Sequence, residues 1–118
     1  MSEGHYKVID DYLCIRMPKE IDHHNAEILS KRVDNYIYGE KINHVVFDFV
    51  DTEFMDSSGI GMILGRYRKM GEQAGNMAIA GCSKTIRNIL NMAGIFSILD
   101  YFDSKEEAVA NFDRKEVS

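Results

Sequence analysis

Between Val45 and Tyr67 the chain changes its hydrophobic period once, and that change limits what it can fold into. Val45-Val46-Phe47-Asp48-Phe49-Val50 is short, β-branched and aromatic, the pattern of a buried strand. After Ser57 the apolar residues Ile60, Ile63, Leu64 and Tyr67 fall at i, i+3, i+4 and i+7, one face of a helix. Asp56, Ser57 and Ser58 stand where an N-cap is wanted, because their side-chain oxygens can accept from the free N–H groups of a first turn. Gly59, Gly61 and Gly65 follow at once, and each costs a helix about 1 kcal/mol relative to Ala. A bare backbone there serves one of two ends. Either another element packs very close, or another molecule must reach the serines.

A chain of 118 residues is one domain with room for a single core. Hydrophobic residues make up 45% and charged residues 28%, a globular mixture that excludes wholesale disorder. The net charge of −5, from 14 basic and 19 acidic residues, argues against a nucleic-acid partner. Cys14 and Cys82 are far apart, inside apolar stretches and without ligand spacing, and read as buried reduced thiols. No apolar run approaches the roughly 20 residues of a membrane span, and no signal peptide opens the chain, so a soluble cytoplasmic protein is expected.

In chain order, Tyr6–Ile9 and Tyr12–Met17 flank Asp10-Asp11 and predict an N-terminal hairpin, closed by Pro18, the only proline. Asp22 is placed to cap a helix whose face is Ala26, Leu29, Val33, Tyr36 and Ile37, with Gly39 at its end. His23 and His24 cannot point the same way on a helix and have no ligand partner one turn on, so they predict a solvated first turn rather than a metal site. The glycine-rich helix ends near Gly71 or Gly75. A strand over 76–81, a helix capped by Ser83 and stopped by Gly94, and a short strand over 98–102 follow. Ser104 and Glu107 form a capping box for a last helix using Ala108, Val109 and Phe112, with a frayed polar tail from Arg114. Alternation of this kind predicts an α/β fold: one mixed sheet, mostly parallel beyond the hairpin, with about four helices and functional groups at carboxyl ends of strands.

The serine pair lies at such an end, and four chemistries compete for it. A hydrolase wants a strained G-x-S-x-G elbow and a histidine base, whereas Phe54-Met55-Asp56 precedes Ser57 here. No G-x-x-x-x-G-K-[ST] run exists to cradle phosphates. A receiver domain could use Asp48 or Asp51 with Lys84, but it would open with a strand–helix unit rather than a hairpin. A purely capping role for Ser57 and Ser58 stays open, weakened by the three glycines and the strand-end location.

Asp56-Ser57-Ser58-Gly59-Ile60-Gly61, with Phe54-Met55 before it and Ile63-Leu64-Gly65-Arg66-Tyr67 after it, resembles the signature of the anti-sigma factor antagonists, the STAS-domain family. Leu13-Cys14-Ile15-Arg16, Glu20-Ile21-Asp22-His23-His24 with Ala26-Glu27, and Met92-Ala93-Gly94-Ile95-Phe96 extend the likeness toward the sporulation branch, so that it spans nearly all of residues 1–118 as one STAS domain. One departure is visible: Pro18-Lys19 stands where the family has a glycine-containing turn.

The resemblance implies a regulator that is not an enzyme and carries no cofactor. The first serine of the motif, Ser57, would be phosphorylated by an anti-sigma factor serine kinase that brings its own ATP or ADP and Mg²⁺. The unphosphorylated form would dock on that kinase and release the sporulation sigma factor, and a metal-dependent Ser/Thr phosphatase would reset it. Asp22, Asp56, Ser58, Gly59, Ile60 and Gly61 would form the partner-binding surface, with the Asp22 carboxylate brought near Ser57 across neighbouring loops. A STAS regulator of another, stress-response sigma pathway is the alternative. Neither nucleic acid nor membrane is expected as a direct partner.

Overall fold

The computed structural model describes residues 4–71 and 76–117. β1 (His5–Ile9) and β2 (Tyr12–Arg16) form the expected antiparallel hairpin. Its turn contains no glycine, and Asp10 takes the positive φ of 53° that such a turn needs. β4 (His44–Asp48), β6 (Met77–Ala80) and β7 (Asp100–Phe102) continue the sheet in parallel, giving the order β1-β2-β4-β6-β7. A second, two-stranded parallel sheet joins β3 (Glu20–Ile21) to β5 (Phe54–Met55). The helices are α1 (His23–Gly39), α2 (Ser57–Met70), α3 (Lys84–Met92) and α4 (Lys105–Val117).

The central strands β2, β4 and β6 are buried on both faces, as strands between two layers of helix must be. Leu13, Ile15, Val45, Phe47, Met77 and Ile79 point to the side where α1, α2 and α3 supply Leu29, Val33, Met62, Ile63, Ile86 and Leu90. The alternate residues Cys14, Val46, Ala78 and Ala80 are small, and they let Ala108 and Phe112 of α4 settle on the other side. His44 is buried there, its ring stacked on Phe112 and edge-on to Tyr12, while Tyr12 donates its hydroxyl to Asp113. The sequence signalled none of this histidine's role.

Several boundaries differ from expectation. Gly39 is the last helical residue rather than a left-handed stop, and α1 ends because Glu40 turns extended at φ −120°, ψ 162°. Gly94 does take the left-handed stop after α3, at φ 79°. The expected strand from Ile98 shortens to β7, because Ile95–Ser97 forms a 3₁₀ turn that carries the chain back to the sheet. α4 continues through Val117, so the tail from Arg114 is helical in its backbone. The Ser104–Glu107 box forms in modified shape: Ser104 Oγ accepts from Glu107 N–H, and Glu107 accepts from Asp103 N–H. α2 ends at Met70 with Gly71 as its cap; Gly75 lies outside the described residues.

Asp48, at the end of β4, is a buried carboxylate. Burial pushes its pKa up, and the Val50 N–H at 3.2 Å with the Lys105 and Arg16 charges offsets this only in part. A carboxyl raised on folding binds its proton more tightly in the folded state. Stability therefore falls as pH climbs from the ordinary carboxylate value of about 4 through the folded one, and stays low above it. Asp48→Asn keeps an acceptor for Val50 and removes the charge. It should raise the Tm at pH 7 and lose that advantage below about pH 4. A lower Tm at pH 7 in scanning calorimetry would disprove this account.

Candidate functional site

The two-residue strands β3 and β5 build the site. Ile21 and Met55 sit opposite each other and face the core, so the residues after them emerge side by side. Both are aspartates, and each caps a helix with nearly the same backbone, φ −103° and ψ −173° at Asp22 and φ −100° and ψ −174° at Asp56. Asp22 Oδ1 accepts from Asn25 N–H at 2.9 Å; Asp56 Oδ1 accepts from Ser58 N–H at 2.8 Å. The backbone joins them too, Asp56 N–H donating to Ile21 O at 3.1 Å. Two helix N-termini therefore meet at one place. Strand pairing thus sets the Asp22 and Asp56 caps side by side, a device the sequence does not show because two residues are too few for a period.

Pro18-Lys19 does not loosen this arrangement. Pro18 O accepts from the Thr52 hydroxyl at 2.8 Å, and Lys19 O accepts from the N–H groups of Glu53 and Phe54 at 2.8 and 3.2 Å. The departure from the family turn is thus tied down at both carbonyls.

Ser57 is the first helical residue of α2 and is exposed. Ser58 is half-buried and, with His23, Ala26 and Lys31, lines a shallow groove of about 420 Å³ beside α1. Ile60 is half-buried and Gly61 exposed. Gly59, expected to face a partner, is buried instead: a Cβ there would lie 2.5 Å from Met55 Sδ and 3.1 Å from Ile21 Cγ2. Its bare backbone serves close packing of α2 on the β3–β5 pair. Gly61 and Gly65 meet nothing within 4 Å and face open space. Close packing thus accounts for Gly59, while Gly61 and Gly65 pack against no other element.

A second feature escaped the sequence reading. Arg66 lies on the buried face of α2, and Asp34 of α1 meets its Nε at 2.8 Å and Lys69 Nζ at 2.6 Å. The Arg66 contact is ionic, since it lacks hydrogen-bond geometry. Its sequence signal was a cation at i+3 from Ile63 and i+4 from Met62, a core-face position that demands an anion.

Other candidates are otherwise engaged. Arg16 donates to both oxygens of Asp51 at 2.6 and 3.0 Å, and this hydrogen bonding holds the Asp51 carboxyl below its usual value. Burial pushes the Cys82 thiol up to about 12 and raises Cys14 as well, which keeps both protonated at neutral pH. Among the described residues no histidine hydrogen-bonds Ser57, no cluster of His, Cys, Asp or Glu could hold a metal, and no helix is long and apolar enough to cross a membrane.

The packing makes the glycines separable. Gly59→Ala gains about 1 kcal/mol of helix propensity but overpacks Met55 at roughly 1–3 kcal/mol, so it should destabilise by about 1 kcal/mol. Gly61→Ala meets open space and should stabilise by up to about 1 kcal/mol. Urea titration checks both. Equal midpoints for the two variants would contradict the packing described here.

Comparison with known proteins places this geometry. The STAS domain matches residues 5–108. The chain is 32% identical over 101 residues to the anti-sigma F factor antagonist of Paenibacillus polymyxa, a match covering 86% of each chain. Among solved structures, the anti-sigma factor antagonist SpoIIAA in its unphosphorylated form superposes with a TM-score of 0.81 at 27% identity, covering 93% of this chain and 96% of that one. The Bacillus cell fate determinant SpoIIAA in the phosphorylated form gives 0.72 at 27% identity, covering 92% and 98%.

Proposed function

This chain belongs to the STAS-domain family, and we propose that within it the chain is an anti-sigma factor antagonist switched by phosphorylation of Ser57. The observation that carries this reading is the placement of Ser57: exposed, first in its helix, beside two capping carboxylates, with Gly61 open to solvent one turn on. A kinase must bring a γ-phosphate in line with the hydroxyl, and an uncluttered backbone admits it. The relatives are consistent, since SpoIIAA is known in both phosphorylated and unphosphorylated forms. The chain acts in the cytoplasm as a binding switch rather than an enzyme. Unphosphorylated, it docks on the anti-sigma factor serine kinase through Asp22, Asp56, Ser58, Ile60 and Gly61 and frees the sporulation sigma factor. A metal-dependent Ser/Thr phosphatase restores it.

Magnitudes decide how phosphate acts. Phosphoserine adds about −1.5 to −2 charge at the N-terminus of α2. The helix dipole favours it by about 0.3–1 kcal/mol. Two first-turn donors are already committed, however, Ser58 N–H to the Asp56 side chain and Gly59 N–H to Asp56 O at 3.1 Å. The Asp22 and Asp56 carboxylates oppose the added charge by a comparable, screened amount. The fold is left nearly indifferent. An unmatched charge forced into a desolvated interface costs about 2–5 kcal/mol, roughly one and a half to three and a half decades of affinity.

With the cognate anti-sigma kinase and ATP, the chain should gain about 80 Da, mapped by mass spectrometry to Ser57. Ser57→Asp should bind the kinase poorly, while Ser57→Ala should bind well and resist inactivation, both with native circular dichroism. Phosphate found mainly on Ser58, or tight binding by Ser57→Asp, would count against the switch.

Asp22 separates capping from recognition. Asn caps as well as Asp, so Asp22→Asn should leave the Tm unchanged yet weaken kinase binding measured by calorimetry. An unaltered affinity would return Asp22 to the capping role alone.

A further inference from the structure

The β3–β5 pair has an outer face as well as an inner one. Ile21 and Met55 point inward, and the alternate residues point out: Glu20 and Asp22 on one strand line, Phe54 and Asp56 on the other. Glu20 stands directly opposite Phe54. The tile is therefore one phenyl ring, three positions before Ser57, among three carboxylates, one of them on the residue next to Ser57. Phe54 is 51% exposed, although Ile21 and Met55 of the same strand pair are deep in the core. Its flanking charges, Lys19 and Glu53, lie 3.8 Å apart and face each other, so they leave the net charge of the tile unchanged.

We infer that Phe54 is the anchor of the docking surface, inserting into an apolar pocket of the protein partner that is rimmed by cationic side chains pairing with Glu20, Asp22 and Asp56. The inference rests on the reading of Ser57 as the switch and adds to it the chemistry of the partner. Two observations select the occupant. The tile borders Ser57 through Asp56, so a surface that closes over the serine also meets the carboxylate edge of the tile. Its three carboxylates repel a nucleic-acid backbone or an anionic lipid surface and favour a positively charged protein face. Aromatic residues buried at the centre of an interface carry a disproportionate share of its affinity, whereas charges at its rim act mainly on the rate of association. The arrangement also explains how Ser57 phosphate would act on binding. The added charge lands on the rim of the anchor, where the approaching partner surface must close over it.

Binding to the organism's own anti-sigma factor kinase, purified with ADP and Mg²⁺, tests this by stopped-flow and titration calorimetry. Phe54→Ala should weaken binding about 30-fold or more, mostly through faster dissociation, with the Tm within about 2 °C of the parent because the ring is half exposed. Phe54→Leu should recover part of the loss, which separates an apolar anchor from a folding defect. Glu20→Gln should slow association a few-fold and flatten its dependence on salt, leaving dissociation nearly unchanged. Parent-like binding by a folded Phe54→Ala would overturn the anchor while leaving the switch at Ser57 standing. A parent chain that neither binds the kinase nor is phosphorylated by it would overturn both.

Discussion

The pairing of Ile21 with Met55 is the constraint from which the rest of the site follows. Two residues per strand supply few hydrogen bonds, and a ladder so short has no stability of its own. It persists because both side chains are locked into the main core and because the flanking loops add bonds on either side, from Thr52 to Pro18 and from Glu53 and Phe54 to Lys19. The consequence is positional. α1 and α2 must begin at the same level, so their caps stand next to each other. Gly59 then brings the first turn of α2 hard against Met55 and Ile21. A side chain at Gly59 would push that turn, and Ser57 with it, away from Asp22.

Much of this was legible in the residues, and what was not has physical reasons. The buried strand at β4, the caps Asp22, Asp56 and Ser83, and the change of period at Ser57 rest on local rules that act over one or two turns. Local rules read well. The glycines at 39 and 94 looked alike in sequence, but only Gly94 needs a left-handed backbone, because the chain must reverse there into the 3₁₀ turn. β3 and β5 were invisible, since their register is set by a partner more than thirty residues away rather than by their own pattern. His44 and Arg66 were missed for a related reason. Each is a polar residue in an apolar setting, and only the fold shows that Phe112 covers one and Asp34 neutralises the other.

The α1–α2 pair is fastened differently at its two ends, and this bears on how a surface phosphate can switch binding without refolding the domain. At the far end, Asp34 takes the half-exposed Lys69 on one carboxylate oxygen and, on the other, Arg66, in a pair closed to most solvent. Breaking such a buried pair by removing one partner typically costs about 3–5 kcal/mol. At the near end the helix contains three glycines within its first nine residues, so its intrinsic propensity is poor. Order there comes from the Asp56 cap and from tertiary packing of Gly59, neither of which involves the Ser57 hydroxyl. The Ser57 hydroxyl is thus mechanically independent of the bonds that hold its own turn. A modification at Ser57 changes the charge and shape of the surface, while the anchored end and the cap keep the backbone where it was. A switch read by a docking partner needs just that separation: the part that changes carries recognition, and the part that holds carries the fold.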